Sequence, residues 1–517
     1  MKELVYHRHL LPAVEANADR VAFHDGAYAG TFGDHLDRTA RLAGALAGLG
    51  VGPGDRFAVM ALNSHQYLEC YHAAFLGGGV INPLNLRLAP KELEYILADS
   101  ATTVCITDQF FAHVVNSVRD AAGLEHVVMI GDADVPHDIG YEEWVAAAAP
   151  RIPDEPDETD PVVLMYTGGT TGLPKGMLLE HRAELLNLYH VMMRWPFSES
   201  DVFLHQTPMF HAASMGGILA VPALGAASVF QPMFDPGPVM GLIEQYGVTA
   251  TVMVPTMIGM MLAHPEFAPE RLASLTTLTY GASPMPAALL DRLLAMFPEL
   301  DIFQGYGMTE SSAVLTALGP EEHRRGGPRL QSAGRAVPGV VLQIQDEDGN
   351  PVPQGETGEV CARAGNFMRE YWKKPDATAE AFRGGWYHSG DAGYLDPDGY
   401  LFLVDRVKDM IVTGGENVYS VEVENAIASH PAVAQVAVIG IPSEQWGEAV
   451  HAVVVLKEGA AATEDELIAH ARESIAGYKV PKSVEFRAEP LPLSGAMKVL
   501  KRDLRAPYWE GQDRAVN

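Results

Sequence analysis

Short apolar segments alternate with helical segments along much of this chain, and this alternation restricts the fold that it can adopt. The strand-like segments are residues 56–61, 103–107, 248–254 and 274–280, and the helical ones are 40–49, 67–76 and 286–296. Strands that alternate with helices are typical of mostly parallel sheets covered by helices. The pattern therefore predicts an α/β fold.

Between residues 320 and 405 the sequence changes to short β-rich pieces separated by turns such as Asp346–Gly349 and Asp396–Gly399. Asp-Gly and Pro-Asp-Gly between apolar runs are typical of hairpins. From Asp405 onward about 110 residues follow, enough for a small domain. Their pattern predicts helices over 420–429 and 464–475 and strands over 433–439 and 450–456.

A chain of 517 residues exceeds the size of a single hydrophobic core, so two or more domains are expected. We predict a large N-terminal domain, residues 1–404, of mixed, mostly parallel sheets with helices and a β-rich subdomain. Residues 405–517 are predicted to form a small, mobile α+β C-terminal domain.

The charge and the apolar pattern exclude several kinds of partner. There are 36 Lys and Arg against 66 Asp and Glu, a formal net charge of −30 that is spread along the chain. Nucleic acids and anionic membranes require a basic face, so neither is expected as a partner. No window approaches 18 uninterrupted apolar residues, and the N-terminus does not resemble a signal peptide. We expect no integral membrane association, a cytoplasmic location, and buried, reduced thiols at Cys70, Cys105 and Cys361.

A loop rich in glycine and threonine follows the apolar run Val162–Met165. Backbone N–H groups, hydroxyls and one cation in a flexible loop suit a polyphosphate, although a Gly/Thr-rich hairpin is the alternative. Pro174 precedes the lysine and Gly176 follows it, so the loop is not a Walker A motif. The candidate phosphate-binding residues are Thr167, Gly168, Gly169, Thr170, Thr171, Gly172 and Lys175.

Further segments along the chain carry chemistry suited to a nucleotide enzyme. In the segment 304–310, Thr309 offers a hydroxyl donor for an α-phosphate, and the Glu310 carboxylate is a hard oxygen ligand for Mg²⁺. The other segments are 280–284 (YGASP), 386–391 (WYHSGD), 404–411 (VDRVKDMI), 413–419 (TGGENVY) and 491–501 (LPLSGAMKVLK).

Together these segments resemble the signatures of the adenylate-forming superfamily, which includes acyl-CoA synthetases, the adenylation domains of peptide synthetases and luciferase-type enzymes. They occur in the family's order, and the resemblance covers the chain from about residue 20 to about residue 505. One departure is Gly168, where the family usually has serine. The spacing after Gly495 matches the family's longer variant, which makes Lys498, and not Lys501, the expected adenylation lysine.

The resemblance also implies a role for individual residues. Tyr306 is expected to stack on adenine, Asp391 and Arg406 to bind the ribose, Asp405 to act as the hinge, and His211 to lie beside the acyl carboxylate. The remaining expected nucleotide and thiol-channel residues are Gly281, Ala282, Ser283, Gln304, Gly305, Gly307, Met308, Gly414, Gly415 and Glu416.

The implied activity is that of an ATP-dependent acid–CoA ligase acting on an apolar carboxylic acid, fatty or aromatic. The acid attacks ATP to give an acyl-AMP and pyrophosphate, and CoA then displaces AMP, with Mg²⁺ as the metal. Alternatives are delivery to a carrier protein or another nucleophile, adenylation of a non-carboxylate acid, and a degenerate nucleotide-binding protein. The methionines within 209–215 and 253–261 are candidates for either the acyl pocket or the core. The oligomeric state stays open, with a homodimer as one alternative.

Two small groups of basic residues are candidates for the 3′-phosphate of CoA, and solvated surface charge is the alternative. They are Arg324, Arg325 and Arg329 in one loop, and Lys479 and Lys482 ahead of the last signature.

Overall fold

The computed structural model describes residues 3–131, 134–167, 174–406, 409–413, 416–443, 445–495 and 497–510, without the side chains of 405–406 and 416–417. The strands are β1 Val21–Asp25, β2 Tyr28–Thr31, β3 Arg56–Met60, β4 Val80–Pro83, β5 Val104–Asp108, β6 His126–Ile130, β7 Ile139–Gly140, β8 Pro161–Thr167, β9 Lys175–Glu180, β10 Val202–His205, β11 Ala227–Phe230, β12 Ala250–Met253, β13 Thr277–Gly281, β14 Asp301–Tyr306, β15 Thr316–Leu318, β16 Arg335–Ala336, β17 Val341–Gln345, β18 Gly358–Arg363, β19 Glu370–Tyr371, β20 Tyr387–Leu395, β21 Leu401–Arg406, β22 Ile411–Thr413, β23 Glu416–Val418, β24 Val433–Ser443, β25 Gly447–Leu456 and β26 Ser483–Arg487.

The helices are α1 Tyr6–His9, α2 Leu11–Ala16, α3 Phe32–Gly48, α4 His65–Ala73, α5 Pro90–Ser100, α6 Ala112–Ala122, α7 Tyr141–Ala147, α8 His181–Arg194, α9 Met215–Ala223, α10 Pro236–Tyr246, α11 Pro255–Ala263, α12 Ala287–Met296, α13 Pro320–Arg325, α14 Pro375–Ala381, α15 Ser420–Ala428, α16 Glu464–Ser474 and α17 Lys501–Arg505. Of the helices in the described ranges, none combines the length and the apolarity that a transmembrane span requires.

Within the described residues, two large sheets form the N-terminal part of the molecule. One has nine strands in the order β16-β15-β14-β13-β12-β10-β11-β1-β2, and the other has eight in the order β19-β9-β8-β4-β3-β5-β6-β7. Their central strands pair in parallel, whereas β9 returns antiparallel to β8. Helices α3, α4, α8 and α9 contribute buried side chains to the largest core cluster. The predicted α/β class is confirmed.

Local sequence signals explain where some of these helices begin. The Thr31 hydroxyl accepts a hydrogen bond from the backbone N–H of Asp34 (3.1 Å), and the Asp34 carboxylate accepts one from the N–H of Thr31 (2.9 Å). This reciprocal pair is a capping box, which satisfies two backbone donors that the first turn of α3 leaves unpaired. Apolar side chains such as Leu42 and Leu46 then turn the buried face of α3 toward the core.

The β-rich stretch forms a four-stranded antiparallel sheet in the order β17-β18-β20-β21, with the turn at 396–399 joining β20 to β21. The C-terminal part is built on a five-stranded sheet of β22 to β26, on which α15 and α16 pack to form a separate core cluster. Strand β21 still belongs to the four-stranded sheet, and the next sheet begins at Ile411. The division at residue 405 stays a prediction.

Candidate active site

A cleft of about 2340 Å³ runs between the ends of several strands and the C-terminal segment. The parallel strands β13 and β14 end at the same edge of their sheet, which is where ligands bind in open α/β sheets. The predicted site residues in its wall are Thr167, Lys175, His211, Gly281, Ala282, Ser283, Gln304, Gly305, Tyr306, Gly307, Met308, Thr309, Glu310, Asp391 and Lys498. The tertiary structure thus brings together residues that are more than 300 positions apart in the chain.

Some predicted residues lie outside the described part of the chain. These are Gly168, Gly169, Thr170, Thr171, Gly172, Gly414 and Gly415, and the side chains of Asp405, Arg406 and Glu416. The segment 168–173 connects β8 to the antiparallel β9, with Thr167 opposite Lys175. The phosphate-loop interpretation stays a prediction.

Close backbone packing explains two glycines on the predicted adenine side of the cleft. Gly281 is paired with Gly305 across β13 and β14, and a Cβ atom at Gly281 would overlap the Gly305 carbonyl oxygen. A Cβ atom at Gly307 would overlap the carbonyl oxygen of Ala313. Ala282 has φ 66°, in the left-handed region that disfavours side chains. These strand ends thus present backbone to the cleft.

The predicted ribose site joins two sheets. The Tyr306 hydroxyl donates to the Asp391 carboxylate at 2.7 Å, which ties the end of β14 to β20. Asp391 is directly opposite Arg406 in the β20–β21 ladder. The backbone N–H of Asp391 also donates to Ser389 Oγ at 3.0 Å. A carboxylate held in this way faces the cleft in a fixed orientation and can accept hydroxyl donors.

Behind Asp391 lies a second polar cluster. Glu359 accepts from Arg383 (2.8 Å) and from the backbone N–H of Gly390 (3.0 Å), and its Oε2 lies 2.8 Å from His388 Nδ1. Cys361 Sγ lies 3.3 Å from the same histidine nitrogen, and burial raises the pKa of this thiol to about 12. The donors of Glu359, Cys361 and His388 are close enough to hold a metal ion. The Arg383 cation and the Gly390 N–H already satisfy the carboxylate, so this cluster supports the loop that carries Asp391.

The Glu310 carboxylate, the candidate magnesium ligand, accepts a hydrogen bond from a tyrosine that lies outside the signature segments. The Tyr371 hydroxyl donates to Glu310 Oε1 at 3.0 Å, and Lys175 Nζ lies 5.1 Å from the centre of the Tyr371 ring. Tyr371 occupies this position because β19 pairs with β9, placing it opposite Met177. A single carboxylate suits Mg²⁺, which takes one or two protein carboxylates together with phosphate oxygens and water. The residues present therefore fit the ion.

Gln304 is likewise held by a residue outside its own motif. The Tyr280 hydroxyl donates to Gln304 Oε1 at 3.1 Å and also lies 3.1 Å from His323 Nε2. Burial raises the pKa of Tyr280, so the phenol stays protonated. The contact fixes the amide of Gln304 at the edge of the cleft.

The C-terminal signature is docked against the N-terminal part. The Arg87 guanidinium donates to the Leu493 carbonyl at 2.5 Å, and Gly495 packs so closely on Asn85 that a Cβ atom there would overlap the Asn85 side chain. Lys498 lies in the cleft wall near enough to His211 for its cation to act on that ring. Lys501 instead contacts Ser420 and Glu424, each at 2.6 Å, within the C-terminal part.

His211 is held as a neutral ring with a defined tautomer. The backbone N–H of Ala213 donates to His211 Nδ1 at 3.1 Å, so Nδ1 is an acceptor and Nε2 carries the proton. Burial, assisted by the Lys498 cation, lowers the pKa of His211 to about 3. At neutral pH the side chain therefore offers the cleft an uncharged N–H donor.

Two of the candidate groups from the sequence have other partners in the structure. Three of the five basic residues proposed for CoA form ion pairs: Arg324 with Asp301, Arg329 with Asp398, and Lys479 with Glu422 at 2.7 Å. Most of the candidate pocket methionines belong to hydrophobic core clusters, namely Met209, Met215, Met253, Met257 and Met261. Met260, in contrast, lies in the cleft wall.

Known proteins resemble this chain over most of its length. A family model described as AMP-binding enzyme matches residues 12–372, and one described as AMP-binding enzyme C-terminal domain matches residues 422–498. The chain is 41% identical over 490 residues to a feruloyl-CoA synthase from Amycolatopsis sp, covering 94% of this chain and 96% of that protein. It is 36% identical over 483 residues to the fatty acid–[acyl-carrier-protein] ligase ScoC from Streptomyces coeruleorubidus, covering 92% and 91%.

A solved structure is also similar over almost the whole length. The anthranilate CoA ligase AuaEII in complex with anthranoyl-AMP matches with a TM-score of 0.89 and 28% identity, covering 98% of each chain. The chain belongs to the AMP-binding enzyme family. It is an AMP-forming acyl-CoA synthetase that uses ATP and CoA.

Proposed function

We propose that this enzyme activates a carboxylic acid with an apolar, fatty or aromatic tail, and that Lys498 carries the adenylation step. The observation that carries the proposal is the meeting of Lys498 and His211 in one cleft with Thr309, Glu310 and Asp391. A carboxylate is a poor electrophile because its oxygen is a poor leaving group. Conversion to an acyl-AMP gives the carbonyl carbon a leaving group, AMP.

In the first half-reaction a substrate carboxylate oxygen attacks the α-phosphate of ATP and pyrophosphate leaves. Lys498 stabilises the negative charge that develops between the two anions, and Thr309 donates to the α-phosphate. Lys175 lies on the leaving-group side, and Asp391 accepts the ribose hydroxyls. Glu310 would hold Mg²⁺, which would supply charge neutralisation on the phosphates.

The neutral His211 ring contributes a hydrogen bond without adding charge. Its Nε2–H is a donor for a substrate carboxylate or acyl oxygen. Because the ring is uncharged, it does not compete with Lys498 for the same anion. The two groups together would orient the acid toward the α-phosphate.

For the second half-reaction we propose that residues 405–517 rotate about Asp405. Rotation removes Lys498 from the cleft and brings the loop of Gly414, Gly415 and Glu416 toward it. The CoA thiol then attacks the acyl carbonyl and AMP leaves. The contacts of Arg87 with Leu493 and of Asn85 with Gly495 would both be released by this rotation.

The test is AMP release from ATP that requires both an acid and CoA. Acetate, octanoate, palmitate, benzoate and 4-hydroxycinnamate would be compared, with pyrophosphate release measured separately. Octanoate, palmitate or an aromatic acid should exceed acetate. Activity with acetate alone would contradict the apolar-tail assignment.

A carrier protein is the second candidate acceptor, because the relative ScoC is a fatty acid–[acyl-carrier-protein] ligase. Transfer from acyl-AMP to CoA and to a phosphopantetheinylated carrier protein would be measured at equal thiol concentration. Faster transfer to the carrier would favour this acceptor. We further propose a cytoplasmic location, in keeping with the three buried free thiols, and sedimentation would test for a homodimer.

A further inference from the structure

Three side chains on one face of α8 and its C-terminal end lie in the wall of the cleft. Asn187, Val191 and Trp195 follow one another at intervals of four residues, which places them on the same side of the helix. A Cβ atom at Gly216 of α9 would lie 3.1 Å from Val191, and one at Gly305 would lie 3.8 Å from Trp195. The face therefore bounds a chamber between α8, α9 and the end of β14.

Asn187 is an unusual residue for such a chamber. Its side chain is 0% exposed, and within the described ranges neither amide atom has a hydrogen-bond partner. The indole N–H of Trp195, a residue that is 4% exposed, also has no hydrogen-bond partner within the described ranges. Buried polar groups are nearly always hydrogen-bonded, since an unpaired one loses its contacts with water without replacement. These atoms point to a ligand group that enters the chamber.

Asn187 and Trp195 lie at different points along the chamber. Trp195 lies beside Gly305, in the motif that borders the nucleotide. Asn187 is eight residues earlier in α8, about 12 Å away along the helix axis. The two unpaired side chains are therefore separate contact points along the chamber.

The chemistry of the chamber restricts this group further. An amide side chain offers a donor and an acceptor, and a hydroxyl group satisfies both. Val191 and Val314, whose side chains are entirely apolar, line the same cleft. A neutral hydroxyl on an otherwise apolar tail matches this combination.

We propose that Asn187 is a specificity-determining residue that hydrogen-bonds a hydroxyl group on the acid's tail. The enzyme's preferred substrates are then hydroxylated apolar acids, and this inference rests on the proposed acid-activating function. A site built to bond a hydroxyl discriminates strongly against the analogue that lacks it, because its own polar atoms are left unpaired.

The test compares matched acids that differ only in the hydroxyl: 4-hydroxycinnamate with cinnamate, and 12-hydroxydodecanoate with dodecanoate. We expect wild-type kcat/KM to favour the hydroxylated member of at least one pair by about 10- to 100-fold. Asn187→Leu, of similar volume, should bring that ratio to within about threefold of one by losing activity on the hydroxylated acid. Asn187→Ser, with a shorter polar side chain, should give an intermediate ratio.

Val191→Ala is the matched control, because it enlarges the same chamber without changing its polarity and should leave the ratio near the wild-type value. Thermal unfolding of each variant checks the fold. Equal use of both members of each pair by the wild type, or an unchanged ratio in Asn187→Leu, would overturn the inference while leaving acid activation intact. Absence of AMP release with every acid would instead contradict the proposed function itself, and this inference with it.

Discussion

The two sides of the cleft are built in different ways. The nucleotide side consists of contiguous motifs at strand ends, where Gly281, Gly305 and Gly307 present backbone and Asp391 is fixed by Tyr306. The proposed acyl side consists of separated side chains on α8, such as Asn187 and Val191, and Val191 lies against Gly216 of α9. A ligand common to a whole family can be bound by backbone geometry, whereas a variable tail is selected by individual side chains. Variants on each side should therefore change different kinetic constants.

Lys498→Ala should have the largest effect, because Lys498 lies where the two sides meet. We expect acid-dependent pyrophosphate–ATP exchange to fall by about 10³-fold, since a cation that stabilises developing charge is removed. Thioester formation from supplied acyl-AMP and CoA should stay within about threefold of wild type, because that half-reaction does not use the lysine.

Lys501→Ala is the matched control for this prediction. Lys501 is bonded to Ser420 and Glu424 in the C-terminal part, so exchange should fall by less than about tenfold. A Lys498→Ala variant that retains exchange but loses thioester formation would contradict the assignment of Lys498 to adenylation.

Asp391→Asn tests the nucleotide side alone. Loss of a carboxylate that accepts sugar hydroxyls should lower kcat/KM for ATP by about 10²-fold and leave KM for the acid within about twofold. Tyr306→Phe, which removes the hydroxyl that orients Asp391, should have a smaller effect of about tenfold. If the kinetic constants for ATP and for the acid worsened equally, the distinction between a nucleotide side and an acyl side would be contradicted.

His211→Phe tests the boundary through pH dependence. The wild-type ring has a pKa of about 3, so it stays neutral from pH 5 to pH 9 and contributes no inflection there. The variant should lose about tenfold in kcat/KM, the worth of one hydrogen bond, and keep the shape of the pH profile. Disappearance of a limb near pH 6 in the variant would show that His211 titrates during turnover.

Glu184→Gln should have the smallest effect on activity, because Glu184 lies behind the acyl side, one turn from Asn187 on α8. Burial raises the pKa of Glu184 to about 8, above its value of about 4.3 in an unfolded chain. The folded state therefore holds this proton more tightly. Its stabilising contribution is present below about pH 4 and declines by about 1.4 kcal/mol per unit until about pH 8.

Glutamine does not titrate. The unfolding temperature of the variant should therefore rise relative to that of the wild type as the pH increases from 5 to 8. Measurement of both proteins at matched pH and ionic strength cancels the other ionisable groups. If the unfolding temperatures of the two proteins changed in parallel with pH, the raised pKa of Glu184 would be contradicted. The kcat values should stay within about twofold of each other.

The sequence predicts the nucleotide side much better than the acyl side. Residues 280–284 and 304–310 are short stretches whose backbone lines the cleft, so local spacing is enough to identify them. Tyr371 is missed because its contact with Glu310 depends on the pairing of a two-residue strand, β19, with β9. Asn187 is missed because the sequence around an asparagine in a helix does not indicate which groups of other segments lie next to its side chain.

The Gly/Thr loop and the cysteines show the same limit. Composition predicts a strand before the loop, and β8 is confirmed, but its antiparallel return through β9 follows from pairing within the sheet. The buried cysteines are confirmed as free, yet the place of Cys361 beside His388 comes from the β18–β20 register.

By itself the sequence determined the α/β class, the family and the order of its motifs, because these depend on periodicity and on contiguous residues. The tertiary structure decided which lysine reaches His211, which tyrosines hold Glu310 and Asp391, and which buried amide faces the chamber. These depend on contacts between segments up to several hundred residues apart. Their geometry is fixed by sheet register and core packing, which no local pattern encodes.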